Sequence, residues 1–228
     1  MTTNDLTNAS VLVLGGSGAL GSRIARQLAE RGAKLTLAGR SPERLARAAT
    51  TIEDCATTIA DLTVRDDATV AVDAAIEAHG RIDGIVNAAG VVAFGPLTGT
   101  SPSVIDEVIA VDLTGPLHVY RQAVPRMDGG FIVNITGIVA TMPTAGMATY
   151  SAAKAGLAAA TVALARELRR GGITVIDARP PHTETGLVDR SIAGDAPNLP
   201  TGLDPDRVAA RIVVGIESGE RILEPDSF

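Results

Sequence analysis

Six short apolar runs recur along the chain, at residues 11–14, 35–38, 57–60, 82–86, 131–135 and 173–178. Each is followed by a stretch with helical spacing. Runs this short and this continuously apolar bury both faces of a strand, as in a parallel sheet covered by helices on each side. Between the first two runs, Leu20, Ile24, Ala25 and Leu28 make one helical stripe, and Gly32 suits its end. Ser41–Pro42, Ser101–Pro102 and Asp204–Pro205 each offer an N-cap followed by proline at the first helical position. Thr63, with Asp66 three residues on, predicts a capping box for a helix running to His79, with Gly80 as its stop. Gly115–Pro116 predicts a kink in a longer fourth helix. Residues 152–170 form an Ala-rich helix ended by Gly171–Gly172. The alternation predicts an α/β fold: a doubly wound, Rossmann-like parallel sheet, in a single domain spanning residues 1–228. The irregular stretch 180–203 is long for a plain connection. It is expected to be a lid over residues 180–204, with a disordered connector as the alternative.

Composition narrows the function classes. With Lys+Arg 20 against Asp+Glu 26, the formal net charge is −6, which disfavours binding to a phosphate backbone. Aromatic residues are 2% and tryptophan is absent, so no stacking platform for single-stranded nucleic acid is expected. One cysteine makes no internal disulfide and no thiolate metal site, and no metal is expected. The apolar run 155–165 is shorter than the ~20 residues that span a bilayer. The first eight residues lack the basic-then-apolar order of a signal peptide. The expectation is a soluble, cytoplasmic protein whose partners are small molecules rather than nucleic acid or membrane.

The first strand runs into GGSGALG, where Gly15, Gly18 and Gly21 are spaced GxxGxxG and Ser17, Ala19 and Leu20 fill the turn. A tight turn, close backbone approach and free N–H groups at a helix N-terminus suit a pyrophosphate. An NAD site would carry an acidic residue after the second strand. Here Arg40 and Ser41 stand there, with Arg44 one turn on. An arginine cannot accept the ribose hydroxyl proton, but it pairs with a 2′-phosphate. NADP is therefore expected over NAD. Asp61 and Leu62 follow the third strand, where a carboxylate can accept from an adenine amino group or serve only as a turn residue.

Tyr150 and Lys154 are four apart at a helix start, hence on one face. An ammonium beside a phenol favours phenolate and draws its titration toward the operating pH. Together with GGSGALG and with NAAG, Asn87 to Gly90, after the fourth strand, YSAAK completes an ordered set that resembles the short-chain dehydrogenase/reductase family across about residues 10–219. The resemblance implies hydride transfer between nicotinamide and a carbonyl or alcohol. It implies that Tyr150 is the general acid/base, and that Lys154 lowers the Tyr150 pKa and holds the nicotinamide ribose. Asn87, Ala88, Ala89 and Gly90 would stabilise the central strand and border the cofactor. In RPPHTET, Pro180 would pack near the nicotinamide, Thr183 would contact its carboxamide and Thr185 would reach cofactor phosphate. The resemblance also implies a homodimer or homotetramer, with Ala159 and Ala163 among the contact positions.

The chain departs from the family pattern at two chemical positions. The family serine thirteen residues before the tyrosine falls on Gly137. Thr136 is the nearest hydroxyl, but adjacent strand residues point to opposite faces, so it serves only if the strand end turns. Thr141 and Thr144 are further candidates, and a serine restored at position 137 is expected to raise turnover. The family asparagine of the fourth helix falls on Asp112, whose carboxylate can accept from water or lysine but cannot donate while ionised. Two functions follow: an NADP(H)-dependent oxidoreductase acting on a small or medium carbonyl/alcohol pair, or a dinucleotide-binding protein with a sensing or partner-subunit role.

Overall fold

The computed structural model describes residues 4–228. Among them, seven strands pair in parallel in one sheet, in the order β3-β2-β1-β4-β5-β6-β7. They are β1 (Ser10–Leu14), β2 (Lys34–Gly39), β3 (Ala56–Ile59), β4 (Gly84–Asn87), β5 (Gly130–Ile135), β6 (Ile173–Ala178) and β7 (Ile222–Leu223). The six expected strands are present to within two residues. β7 was not expected, because two residues carry no pattern.

The strands alternate their side chains between two cores. Val11 and Val13 of β1 face α1 (Ala19–Ala29) and α7 (Pro205–Ser218), where Ile24, Leu28, Ile212 and Ile216 are fully buried. Leu12 and Leu14 face α3 (Asp67–His79) and α5 (Gly115–Ala123), which bring Ala71, Val72, Val119 and Ala123. A third cluster joins Val91 and Ala93 to Val108 of α4 (Pro102–Ile109) and Ala153 of α6 (Ala148–Glu167). α2 (Pro42–Ala49) buries Leu45 and is capped by the Ser41 hydroxyl, which accepts from the Arg44 amide at 3.2 Å.

Several local expectations resolve differently. No capping box forms at Thr63: its hydroxyl donates to Asp61 Oδ1 at 2.8 Å, and Asp66 makes no side-chain cap. Aspartate is a methylene shorter than the glutamate such a box uses to reach back. The fourth helical stretch breaks just before Gly115–Pro116, where Ala110–Thr114 form a π turn between α4 and α5. Proline lacks the N–H that would bond the carbonyl four residues back, at Asp112, and a wide turn absorbs the loss. α6 starts at Ala148, four residues before its expected start. Its N-cap, Met147, offers no side-chain acceptor and so left no sequence signal. The stretch after β6 is tied down rather than loose. The Phe94 amide donates to Ala193 O at 2.8 Å, Ile192 N to Val92 O at 2.9 Å, and Leu203 N to His182 O at 2.8 Å.

β1 and β4 are neighbours, yet the chain leaves β1 toward β2 and β4 toward β5. That reversal opens a crevice at the carboxyl ends of the two strands. α1 can start at its edge because Gly21 has no side chain: a Cβ there would lie 2.3 Å from Gly15 O. Gly21→Ala is therefore expected to cost about 1–3 kcal/mol, the usual penalty of overpacking. A urea unfolding midpoint unchanged from the parent would contradict this contact.

Candidate active site

The crevice opens into a cavity of about 610 Å³ running from the glycine turn to the loop after β6. Gly15, Ser17, Gly18, Ala19 and Leu20 line one part of it. Gly15 holds φ +68, in the left-handed region, and an added Cβ would meet Ala88 O and Ala89 at 2.8 Å. Gly18 caps α1 without any side-chain acceptor, so the first-turn N–H groups are left for an anion. The cradle therefore fits a dinucleotide pyrophosphate. Gly21 does not line the cavity; it packs beneath the turn.

Arg40, Ser41, Arg44, Asp61 and Leu62 surround the far end. The Arg40 guanidinium is 54% exposed and lies 3.5 Å from Glu107, an open ion pair that an incoming phosphate can displace. Arg44 donates to Ser17 O at 3.2 Å, tying the basic corner to the glycine turn. Asp61 Oδ1 accepts from the Thr63 amide and hydroxyl, so one carboxylate oxygen is already spent.

Ala88, Ala89 and Gly90 border the middle of the cavity, whereas Asn87 lies behind it. Asn87 is buried and donates to Asn134 Oδ1 at 3.2 Å. Asn134 also accepts from Tyr120 Oη at 2.5 Å and donates to Thr161 Oγ1 at 2.9 Å. This buried chain joins β4, β5, α5 and α6 under the site. Its members are too far apart in sequence for any spacing to have shown it.

Tyr150 and Lys154 share one face of α6 and both line the cavity, with Lys154 Nζ 5.7 Å from the centre of the Tyr150 ring. Lys154 Nζ donates to Ile135 O at 3.2 Å and lies 3.2 Å from Asp112 Oδ1. Asp112 sits in the π turn, fully buried behind the lysine rather than on the cavity wall. Its Oδ2 accepts from the Val91 amide at 3.4 Å. Burial pushes the Asp112 carboxyl up to about 6, against the pull of Lys154 and of the Val91 amide. Burial works to lower Lys154, but Asp112 and Tyr150 outweigh it and the ammonium ends above its ordinary value. The expected lowering of Tyr150 is not what results. Burial raises the phenol above its ordinary value, Lys154 pulls it down, and Asp112 pushes it up again.

The hydroxyl expected from Thr136 is committed elsewhere. Thr136 borders the cavity, but its Oγ1 donates to Asp177 Oδ1 at 2.5 Å, and Arg179 holds the same carboxylate at 2.8 Å. The strand end does turn, at Gly137 with φ +73 and ψ 166, but it does not bring that hydroxyl into the site. Thr144 lines the cavity; Thr141 does not, and it donates to Ile138 O. Pro180, Thr183 and Thr185 line the end beneath the loop after β6. Thr183 donates to Pro181 O at 2.9 Å, and Thr185 Oγ1 accepts from the Leu187 amide. Much of the remaining wall is apolar, from Val92, Phe94, Val139, Met142, Met147 and Ile192, with His182 and Arg190 among the polar exceptions. Val111 and Val139 line it without a sequence signal that singled them out, whereas Arg190 falls within the expected lid segment.

Comparison with known proteins agrees with this geometry. The family described as short chain dehydrogenase matches residues 9–195. An uncharacterised oxidoreductase of Staphylococcus saprophyticus is 30% identical, over 96% of this chain and 95% of its own. A short chain dehydrogenase of Burkholderia cenocepacia, solved in complex with NADP, superposes with a TM-score of 0.86 at 29% identity over 98% of each chain. A dehydrogenase/reductase of Sinorhizobium meliloti superposes at 0.84 and 29% identity, covering 95% of this chain and 92% of that one.

The backbone at Gly137 changes what a serine there would do. An added Cβ meets only Pro180 O, at 3.7 Å, so space is not the obstacle. Its φ and ψ lie where only glycine rests without strain, at about 1–3 kcal/mol for other residues. Gly137→Ser and Gly137→Ala are thus expected to lose the same stability in thermal denaturation, a cost that any gain in turnover from the serine hydroxyl must carry. A serine variant as stable as the parent would overturn this.

Proposed function

Because the chain belongs to the short chain dehydrogenase family, we propose that it is an NADP(H)-dependent oxidoreductase moving a hydride between nicotinamide and a small or medium carbonyl/alcohol substrate. The observation that carries this reading is the pair Tyr150 and Lys154, side by side on the wall of the cavity that begins at the glycine turn. The glycine turn and the α1 N-terminus would hold the pyrophosphate, and Pro180, Thr183 and Thr185 the nicotinamide end. The bound nicotinamide supplies or takes the hydride. Tyr150 Oη gives its proton to the carbonyl oxygen in reduction, or takes one in oxidation. Lys154 would hold the cofactor ribose while remaining against Ile135 O and Asp112. The apolar wall excludes water and favours an uncharged substrate body, and the segment 180–204 acts as the lid above it.

Preference for NADP is supported by Arg40, Ser41 and Arg44 around the far end, with no carboxylate at the close of β2 to accept a ribose hydroxyl. The Burkholderia cenocepacia relative was solved with NADP, which agrees. A homo-oligomer is part of the proposal. Ala159, Val162 and Ala163 are exposed on α6 while Ala153, Leu157 and Thr161 face inward. That leaves a smooth outer face on which a second α6 could lie closely.

Arg40→Asp should weaken NADPH binding by about 10–100-fold, the worth of one charge-assisted hydrogen bond at ~1.5–3 kcal/mol. NADH binding should be nearly unchanged. Equal affinity for both cofactors in the parent would sink the NADP assignment. Tyr150→Phe should cut carbonyl reduction by ~10²–10⁴-fold with NADPH affinity retained. A parent protein that binds NADPH but turns over no aldehyde or ketone would favour the sensing or partner-subunit role. Light scattering at micromolar concentration should give a multiple of the 23.3 kDa chain mass, and a monomer would refute the oligomer.

A further inference from the structure

The two charges beneath the cavity cancel. Lys154 is 5% exposed and Asp112 0%, 3.2 Å apart. The π turn carries Asp112 into this position, and Gly90 leaves it room, since a Cβ on Gly90 would lie 2.8 Å from Asp112 Oδ1. The pair is therefore built in from three elements: the π turn, α6 and the segment after β4. Facing Asp112 are Lys154 and Tyr150 from α6, the Val91 amide from that segment and, through the lysine, the Ile135 carbonyl at the end of β5. His182 lines the same cavity and lies 3.6 Å from Glu184. Of the charged side chains named at this site, Lys154 is the nearest to both Asp112 and Tyr150.

An ammonium that stands alone in a dry site drives a neighbouring phenol to ionise; an ammonium matched by a carboxylate presents little net charge to it. We propose that Asp112 is a positioning residue that neutralises Lys154 and so keeps the Tyr150 hydroxyl protonated, setting this site to donate a proton and reduce carbonyl compounds. This rests on the oxidoreductase reading given above. In reduction, hydride adds to the carbonyl carbon and the C=O π electrons move to oxygen. The oxygen takes the Tyr150 proton, and the resulting phenolate regains a proton from solvent. In oxidation the phenolate must exist first, to accept the alcohol proton while hydride leaves carbon for the oxidised nicotinamide. A site that holds the phenol protonated works forward at neutral pH and backward only in alkali.

The chain allows this to be read without substrate or cofactor. It has two tyrosines and no tryptophan, so tyrosinate absorbance is uncluttered. Burial raises both phenols, but Tyr120 is hydrogen-bonded to Asn134 below the site while Tyr150 lines the cavity, so the Tyr150→Phe variant identifies which transition is which. In the full-length protein the tyrosinate transition that vanishes in Tyr150→Phe should fall at or above the ordinary ~10. Asp112→Asn should bring it down by about 1–3 pH units, the effect of an unmatched charge at close range. Adding Lys154→Met to that variant should return it upward. A parental transition well below 10, or one that Asp112→Asn leaves in place or raises, overturns the proposal. Should Asp112→Asn fail to fold, the parental transition alone decides. If the titrations behave as stated but no carbonyl turns over, the oxidoreductase reading fails and the electrostatic one stands.

Discussion

The close contact between α1 and the turn after β1 is what the rest of the site depends on. Gly21 sits against Gly15 with no room for a methyl group between them. That contact lets a helix begin directly at the end of a central strand, with its unpaired N–H groups at the mouth of the crevice. The opposite wall is built likewise. Gly15 also approaches the backbone at Ala88 and Ala89, so β1 and β4 end together and the cavity has a floor of backbone rather than side chains. A larger residue at either glycine would separate the walls before any ligand arrived.

Buried polar groups then divide the chemistry from its support. Asn87, Asn134, Tyr120 and Thr161 are hydrogen-bonded to one another below the sheet's carboxyl edge and hold α5 and α6 against β4 and β5. Thr136, Asp177 and Arg179 do the same where β5 meets β6, with Arg179 reaching on to Glu224 beyond β7. One network consumes the hydroxyl that stood nearest the missing serine. Among the described residues the cavity wall carries one phenol and one ammonium, with a carboxylate behind the lysine. Burial and this one ion pair set the direction in which the phenol moves.

Much of this was legible in the residues. The six longer strands, the glycine turn, the basic corner at Arg40 and the Tyr150–Lys154 face depend on period, on chain punctuation or on i,i+4 spacing, and these are local properties. The misread places share one cause. Thr63 has a capping pattern, yet its hydroxyl found Asp61 closer. Thr136 has a hydroxyl at the right point of the chain, yet Asp177 on the next strand claims it. At Gly137 the spacing shows only that the family serine is absent, and not that the backbone there lies in a region glycine alone occupies easily. Each was settled by a neighbour or a dihedral angle that spacing does not encode.

The sequence by itself determined the order and type of the six longer strands and the main helices between them, because apolar period, caps and the proline at 116 act over a few residues. It also named the candidates for chemistry, because Tyr150, Lys154, Thr136 and Asp112 stand at or beside the positions where the family pattern carries them. Tertiary structure alone decided the direction in which Tyr150, Lys154 and Asp112 are each pushed. Asp112 and Lys154 are forty-two positions apart (154 − 112) and meet only because a π turn and a buried helix face are packed together. The direction in which the Tyr150 phenol moves is a sum of burial and two opposed charges. Those terms depend on distance and on exclusion of water, and they exist only once the chain has closed around them.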